Sequence, residues 1–296
     1  MKKRTAFSLV FTVLCVLIAS QGFTPQSQQP APITVQQVKD GIYMVKGGSG
    51  ANTGFFIGKN GVLTIDAKMT AESAKQEVEE IRKLTPNPIR QMVITHSDGD
   101  HVNGLNGFPM GLKIIAHAQT KEDMEEAFKD TSLQALQAYL PNQTFTDPVF
   151  ALSLDGESIR LLHFGPAHTS GDLVVYFPVQ KVAFVGDLVF IGRDPLIHRQ
   201  KGGTSFGLVK NLKGILALDA DTFIAGHNNI LSRKDIEGLL TSIEDKQQKI
   251  QAMVKAGQSL DEIKKIFNVE ERPSPTGRRS MSLVEVIYLD ITEKNK

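Results

Sequence analysis

Four side chains that can bind a metal ion fall within six residues of the sequence. His96, Asp98, Asp100 and His101 come directly after the apolar run of residues 91–94. Imidazole and carboxylate groups crowded on one short turn repel one another and are poorly hydrated unless a cation lies between them. The pattern therefore predicts a strand, then a metal-binding loop, then a helix that begins near Val102.

Three later segments carry further metal-capable side chains, namely residues 165–172, 184–188 and 224–228, which contain His168, Asp187 and His227. The first segment, residues 95–101, closely resembles the His-x-His-x-Asp-His signature of the metallo-β-lactamase-fold hydrolases, with Asp98 in place of the second histidine. The later segments resemble the family's third-histidine loop, the bridging aspartate of glyoxalase II and related hydrolases, and the final histidine. Together they are similar to the glyoxalase II-like and quinoprotein-associated branches.

The resemblance implies a pair of divalent metal ions, each held by three side chains and joined by one more. The implied ligands are His96, Asp98 and His168 for the first metal, Asp100, His101 and His227 for the second, and Asp187 for both. Asp66, at the end of another apolar run, is expected to orient a ligand histidine. Zinc is the expected metal, and the carboxylate of Asp98 opens the first site to manganese or iron.

Asp98 changes the charge that the resemblance implies. Asp98, Asp100 and Asp187 bring three negative charges to the site, so two divalent ions leave a net charge of +1. A histidine in place of Asp98 would make the site one unit more positive, and we therefore expect anionic substrates to be attracted less strongly here. A surface position for Asp98, with a single metal elsewhere, is the alternative.

The function implied by the resemblance is that of a metal-dependent hydrolase. A metal-bridging hydroxide would attack the carbonyl carbon of a small-molecule acyl substrate (a thioester, lactone or ester), and Asp100 would orient it and carry a proton to the leaving group. A β-lactamase is one alternative, although familiar β-lactamases of this superfamily have cysteine or serine where Asp187 stands. A non-catalytic, metal-binding exported protein is another.

The periodicity of the remaining chain predicts an α/β protein. Strands and helices alternate in both halves, and ligand residues follow strand ends in each half, which favours a four-layer αββα sandwich, the metallo-β-lactamase fold. We expect residues 33–296 to form a single metallo-hydrolase domain. Its helical tail has an apolar stripe at residues 283–291 that could dock on its own chain or serve a dimer contact; the oligomeric state stays open.

The N-terminus has the pattern of a secretory signal. The basic residues Lys2, Lys3 and Arg4 precede an apolar stretch at residues 6–19 that is too short for a comfortable membrane span. We predict a signal peptide over residues 1–22, a flexible lead-in over residues 23–32, and a secreted or periplasmic protein with no stable membrane span after cleavage. Removing the three basic residues changes the formal net charge from +1 to −2, and no nucleic-acid partner is expected.

Three other features have less specific patterns. The glycine-rich residues 47–54 lack the Gly-Lys-Ser/Thr of a phosphate-binding loop, so a flexible loop over the active site is expected. His117 is expected to be a packed or rim histidine. His198, which follows Asp187 in a mixed loop, is a candidate for a substrate contact.

Overall fold

The computed structural model describes residues 31–269 and 281–293, and in it two β-sheets lie face to face with helices on their outer surfaces. The seven strands of the first sheet follow the order of the chain: β1 (Ala31–Lys39), β2 (Ile42–Gly48), β3 (Thr53–Ile57), β4 (Val62–Ile65), β5 (Ile89–Val93), β6 (Lys113–His117) and β7 (Gln143–Phe145). Strands β1 to β4 pair antiparallel, and strands β4 to β7 pair parallel. The predicted αββα sandwich is confirmed.

The second sheet has five strands, in the spatial order β12-β11-β10-β9-β8. Its strands are β8 (Val149–Leu154), β9 (Glu157–Leu162), β10 (Val174–Phe177), β11 (Val182–Gly186) and β12 (Thr222–Ala225). Only β11 and β12 pair parallel among these strands of the described chain. The helices are α1 (Ala71–Leu84), α2 (Gly99–Val102), α3 (Ala118–Ala127), α4 (Ser205–Leu216), α5 (Arg233–Lys255), α6 (Leu260–Ile266) and α7 (Leu283–Glu293).

The layers follow from the side-chain alternation of the strands. In β2 and β3, Met44 and Phe56 point to the core between the sheets, whereas Val45 and Phe55 point to the helical side. Strands β4 and β11 are buried on both faces, which explains their continuous apolar sequences. Gly54 lets the sheets approach closely, because a Cβ there would lie 2.1 Å from the Phe184 ring.

The outer helices form where an apolar stripe follows a capping residue. In α1, Ala74, Val78 and Ile81 are buried on one face, and the Thr70 side chain caps the first turn by accepting from the backbone N–H of Ser73. A capping box begins α5. These helices cover the sheets and leave the carboxyl ends of the central strands open at one edge.

The structure changes several sequence-based boundaries. The helix expected to begin near Val102 instead ends there, because the metal-binding loop itself turns into the short α2. Strand β1 was not predicted, since its edge position leaves polar residues on both faces; it begins at Ala31, so the expected lead-in over residues 23–32 is too long by two residues. The predicted signal peptide and the rest of that lead-in lie outside the described residues.

The predicted tail helix exists as α7, and it packs against α4 and α5. Leu283, Val284, Val286 and Ile287 bury its apolar stripe in the core beside the second sheet. Within residues 31–269 and 281–293, no helix has the length and apolar character that crossing a bilayer requires.

Candidate metal centre

Two pairs of parallel strands bring the candidate ligands to one edge of the sandwich. In the first sheet, β4 and β5 end at the same level, which places Asp66 beside Thr95; the Thr95 backbone N–H and hydroxyl donate to the Asp66 carboxylate at 2.8 and 2.7 Å. In the second sheet, the ends of β11 and β12 place Asp187 beside His227. Carboxyl ends of parallel strands therefore supply residues from both halves.

The structure brings all seven predicted ligands together, in two groups. The first group is His96, Asp98 and His168, and the second group is Asp100, His101, Asp187 and His227. Within each group the potential ligand atoms lie within 4.8 Å of one another. A surface position for Asp98 is ruled out, because its side chain is only 14% exposed and faces His168.

The second group is closely connected within itself. The Asp187 carboxylate lies 3.2 Å from His101 Nε2 through one oxygen and 3.2 Å from His227 Nε2 through the other. Asp100 Oδ2 lies 3.0 Å from His227 Nε2. Gly226 is required before His227, because a Cβ there would lie 2.1 Å from Asp187 Oδ1.

Asp66 supports the second group from behind. Its Oδ2 lies 2.7 Å from His101 Nδ1, so the Nδ1–H of that histidine donates to a carboxylate and its Nε2 is turned to the centre. This is the arrangement expected of a residue that orients a metal-binding histidine. Asp66 has a positive φ of 62°, a conformation that aspartate tolerates better than most residues.

The first group converges on one oxygen of Asp98. Asp98 Oδ2 lies 3.0 Å from His168 Nε2 and 3.8 Å from His96 Nε2. His168 is oriented from its other side, where Nδ1 lies 2.8 Å from the carbonyl oxygen of Leu196. Asp187 Oδ2 lies 4.0 Å from His96 Nε2, so the Asp187 carboxylate lies between the two groups.

Buried polar atoms without partners mark the centre of this arrangement. His96 Nε2, His101 Nε2 and Asp187 Oδ1 are fully buried, and none has a hydrogen-bond partner among the described residues. Leaving such atoms unpaired is unfavourable, so native proteins rarely do it without a ligand. Imidazole nitrogens and a carboxylate oxygen are the donors that zinc and similar divalent ions bind, and the residues present therefore fit a metal pair.

The protonation preferences of the histidines also favour a cation at the centre. Burial lowers the pKa of His96 well below its usual value. Burial acts the same way on His101 and His168, but nearby carboxylates outweigh it and raise the pKa of His101 well above its usual value and that of His168 to about 9. Hydrogen bonds to carboxylates raise the pKa of His227 to about 9. The carboxylates thus attract positive charge to the site.

The carboxylates show the reciprocal effect. Burial alone would raise the pKa of Asp98, but hydrogen bonds from His168 and His198 outweigh it, so the pKa lies far below its usual value. Burial would also raise the pKa of Asp187, but the positive charge of the nearby His101 outweighs it, so this pKa too lies well below its usual value. Both carboxylates are therefore ionised at neutral pH and available as ligands.

Two residues of the site carry no ligand-like motif in the sequence. His198 Nε2 lies 2.8 Å from Asp98 Oδ2, and Lys201 Nζ lies 2.7 Å from Asp98 Oδ1. His198 was a candidate for a substrate contact, and the structure places its ring against Asp98. The only sequence signal for Lys201 is that it is a cation in the loop after Asp187.

The glycine-rich segment is an anchored loop, which corrects the expectation of a flexible one. Ala51 N donates to Asp100 O at 3.1 Å, and Asn52 N donates to Gly226 O at 2.6 Å. The buried Lys68 ammonium donates to three carbonyl oxygens in or beside the loop, at 2.9 to 3.1 Å. The loop therefore ties the backbone of the Asp100 turn to the backbone before His227.

His117 lies in a packed position, as expected. Its ring stacks on His163 with centroids 3.9 Å apart, and its Nδ1 accepts from the backbone N–H of Gln119 at the start of α3. Burial, followed by the neighbouring His163, lowers the pKa of His117 to about 4.

Comparison with known proteins assigns the chain to a family. The model of the metallo-beta-lactamase superfamily matches residues 47–227. The chain is 25% identical to the 2,4-dinitroanisole O-demethylase subunit alpha of Nocardioides sp. strain JS1661 over 93% of this chain and 82% of that protein. It is 23% identical to the metallo-beta-lactamase type 2 of Elizabethkingia meningoseptica over 81% of this chain and 96% of that protein.

Solved structures show the same fold. The sec-alkylsulfatase Pisa1 from Pseudomonas sp. superposes with a TM-score of 0.72 at 17% identity over 87% of this chain. This chain spans only half the length of that alkylsulfatase. The metallo-beta-lactamase TMB-1 superposes with a TM-score of 0.59 at 17% identity over 72% of this chain and 97% of its own.

Proposed function

Because the chain belongs to the metallo-β-lactamase superfamily, a family of metal-dependent hydrolases, we propose that it is an exported hydrolase of small acyl substrates that works with two divalent metal ions. Thioesters, lactones and esters are the proposed substrate class, and zinc is the proposed metal. One observation carries this proposal: the Asp187 carboxylate lies between two groups of ligand-type side chains, 3.2 Å from His101 and 4.0 Å from His96.

The aspartate at this position distinguishes between substrate classes of the family. Thioester and lactone hydrolases of this superfamily resemble the chain here, whereas familiar β-lactamases have cysteine or serine. A carboxylate also offers two oxygens, and Asp187 Oδ2 lies 3.2 Å from His227 of the second group and 4.0 Å from His96 of the first group, so Asp187 suits a paired site. β-Lactam hydrolysis is thus expected to be weak at most.

The metal pair, when bound by the two groups, would supply Lewis-acid catalysis and would activate water at neutral pH. The residues of the chain then have separate roles. His101 and His168 are held by Asp66 Oδ2 and Leu196 O through their Nδ1 atoms, so their Nε2 atoms are already directed to the centre. This preorganisation means that little side-chain entropy is lost on binding.

Asp100 is the proposed proton carrier. Its side chain is 23% exposed and lies against His227 at the open edge of the site, where an entering substrate would pass. A carboxylate in this position can accept the proton of an attacking water and return it to the leaving group, so that an acyl compound and water give an acid and a free thiol or alcohol.

An activated aryl ether is a second candidate substrate. The observation that favours it is the similarity to a 2,4-dinitroanisole O-demethylase subunit over 93% of this chain. In such an ether, water could attack the electron-poor ring carbon and displace an alkoxide, giving a phenol and an alcohol; in an acyl compound, water attacks the carbonyl carbon and displaces a thiolate or an alkoxide. The same proton carrier would therefore serve both reactions.

A hydrolysis screen tests the proposal. Purified mature protein, loaded separately with zinc, manganese and iron, would be assayed on thioesters, lactones, aryl esters, β-lactams, alkyl sulfates and 2,4-dinitroanisole. Turnover of acyl substrates that is lost on chelation and restored by metal is expected. Turnover of dinitroanisole alone would move the assignment to the second candidate. Bound metal with no hydrolysis of any substrate would favour a non-catalytic binding protein.

Export is supported by the basic and apolar residues 2–19. N-terminal sequencing of protein from the native host is expected to begin near Gln21 or Phe23. A soluble intracellular protein that retains Lys2 to Arg4 would contradict export.

A further inference from the structure

The carboxylate of Asp98 is divided between two sets of partners. Its Oδ1 accepts a hydrogen bond from the Lys201 ammonium at 2.7 Å. Its Oδ2 lies 3.0 Å from His168 Nε2 and 2.8 Å from His198 Nε2. One oxygen is thus held by a cation, and the other faces His168 of the first group and His198 beside it.

Lys201 is itself fixed in place. Its Nζ also donates to the carbonyl oxygen and the hydroxyl of Ser97, at 3.3 and 3.1 Å. The Ser97 hydroxyl donates in turn to Asp123 Oδ2 at 2.9 Å. The Lys201 and Asp98 side chains are only 25% and 14% exposed, so this ion pair is shielded from solvent more than an ordinary surface pair.

The pair restores a charge that Asp98 removes. The three ligand aspartates of the site give −3, and the ammonium of Lys201 brings the total for the same cluster to −2. A neutral histidine at position 98 without the lysine would also give −2. Lys201 therefore offsets the negative charge that Asp98 adds to the ligands.

We propose that Asp98 and Lys201 act as one unit that replaces the family's second histidine, with Lys201 as a positioning residue for the first metal. The lysine holds Oδ1, so that Asp98 presents Oδ2 alone to the metal, as a histidine presents one nitrogen. The proposal rests on the proposed function only in requiring that the first group binds a metal.

A double-mutant cycle on zinc affinity tests the pairing without any substrate. Parent, Lys201→Met, Asp98→His and the double variant would be stripped of metal and titrated with zinc against a chromophoric chelator. The zinc-binding step whose affinity changes in Asp98→His is assigned to the first group. Lys201→Met is expected to weaken that step about 10-fold, as for other residues that orient a ligand. In the Asp98→His background the same change is expected to leave the step unchanged or to strengthen it, because it removes an ammonium that no longer has a carboxylate partner.

Two results would overturn the proposal. An equal effect of Lys201→Met in both backgrounds would show that the lysine acts independently of Asp98. Tighter zinc binding by Lys201→Met in the Asp98 background alone would show that the lysine competes with the metal for the carboxylate. A parent that binds no zinc would overturn the proposed function as well, so the two failures are distinguishable.

Two further variants control the cycle. Lys201→Arg keeps the charge and is expected to recover part of the affinity. Lys181→Met removes an exposed lysine that pairs with Asp219 at 2.9 Å, before the start of β11 and thus at the opposite end from Asp187, and it is expected to leave both zinc steps unchanged. Urea unfolding of the metal-free proteins identifies any variant whose fold is altered.

Discussion

The two ligand groups of the site are supported in different ways. In the second group, the strand ends do most of the positioning: Asp66 at the end of β4 orients His101, and Asp187 after β11 contacts His227. In the first group, Asp98 depends on Lys201, which lies 103 residues farther along the chain in a loop after Asp187. One group is therefore built into the sheets, and the other is completed by a loop.

The loop is in turn braced by the C-terminal helix. Arg199 pairs with Asp290 and Glu293 of α7. Asp290 also accepts from the backbone N–H and hydroxyl of Ser205, at 2.7 and 2.8 Å. The support of Asp98 thus extends to α7 through the segment of Arg199 and Lys201, so the first group should respond to changes there that leave the second group unaffected.

Removing Asp100 is the largest expected change, because this residue belongs to the second group and carries the proposed proton. Asp100→Ala is expected to lower kcat/KM at least about 100-fold, by loss of proton transfer together with a ligand. Steady-state kinetics on the best substrate from the screen measure it. His117→Ala, in a packed histidine outside both groups, is the control and should retain most of the activity. Comparable losses would contradict the ligand assignment.

Asp66→Asn acts mainly on the second group, because Asp66 contacts His101 directly but reaches His96 only through the Thr95 hydroxyl, which lies 3.1 Å from His96 Nδ1. Loss of the carboxylate behind His101 is expected to lower zinc affinity of the second group about 10- to 100-fold and to change the first group's step much less. Zinc titration with a competing chelator measures both steps. Asp155→Asn is a matched control, since Asp155 also has a positive φ and lies in a turn away from the site, bonded to Asn60. An equal change in both steps would show that the two groups share their support.

Asp290→Asn tests the opposite dependence. It weakens the brace between α7 and the Arg199 segment, so zinc affinity of the first group is expected to fall by less than about 10-fold, a smaller loss than a direct ligand support gives. The unfolding free energy should fall by about 1–3 kcal/mol as the buried Ser205 groups lose their charged acceptor. Asp194→Asn, in the Lys246 ion pair, is the control. If Asp290→Asn lowers the stability but leaves zinc binding by the first group unchanged, α7 does not support the metal site.

His117→Asn gives the smallest effect and lies outside both groups. The pKa of His117 is about 4 in the folded protein, below the usual value of about 6.5 in an unfolded chain. The unfolded state therefore binds a proton more readily between these values, and the parent should lose stability as the pH falls from 6.5 towards 4. The variant should lose less over the same range. Urea unfolding at several pH values measures this difference, and parallel curves would show that His117 does not titrate as described.

The sequence predicted the parts of the fold and site that depend on local pattern. Apolar runs that end in Asp66, His96, Asp187 and His227 place those residues at strand ends, and parallel pairing brings the ends together. Strand β1 was missed because an edge strand need not alternate apolar and polar residues, and β1 has no buried face. Lys201 and His198 were missed as partners of Asp98 because a loop without periodicity gives no register from which a contact over 100 residues could be inferred.

The brace on α7 has a consequence for the order in which the protein is made. The chain is synthesised from its N-terminus, and Asp290 follows Ser205 by 85 residues. All side chains of the second group, and Asp66 behind them, exist before α7 has emerged, so that group can form first. The support of the first group is complete only after α7 has docked, and a truncation or a tag at this helix would therefore act on a metal site whose ligands it never touches.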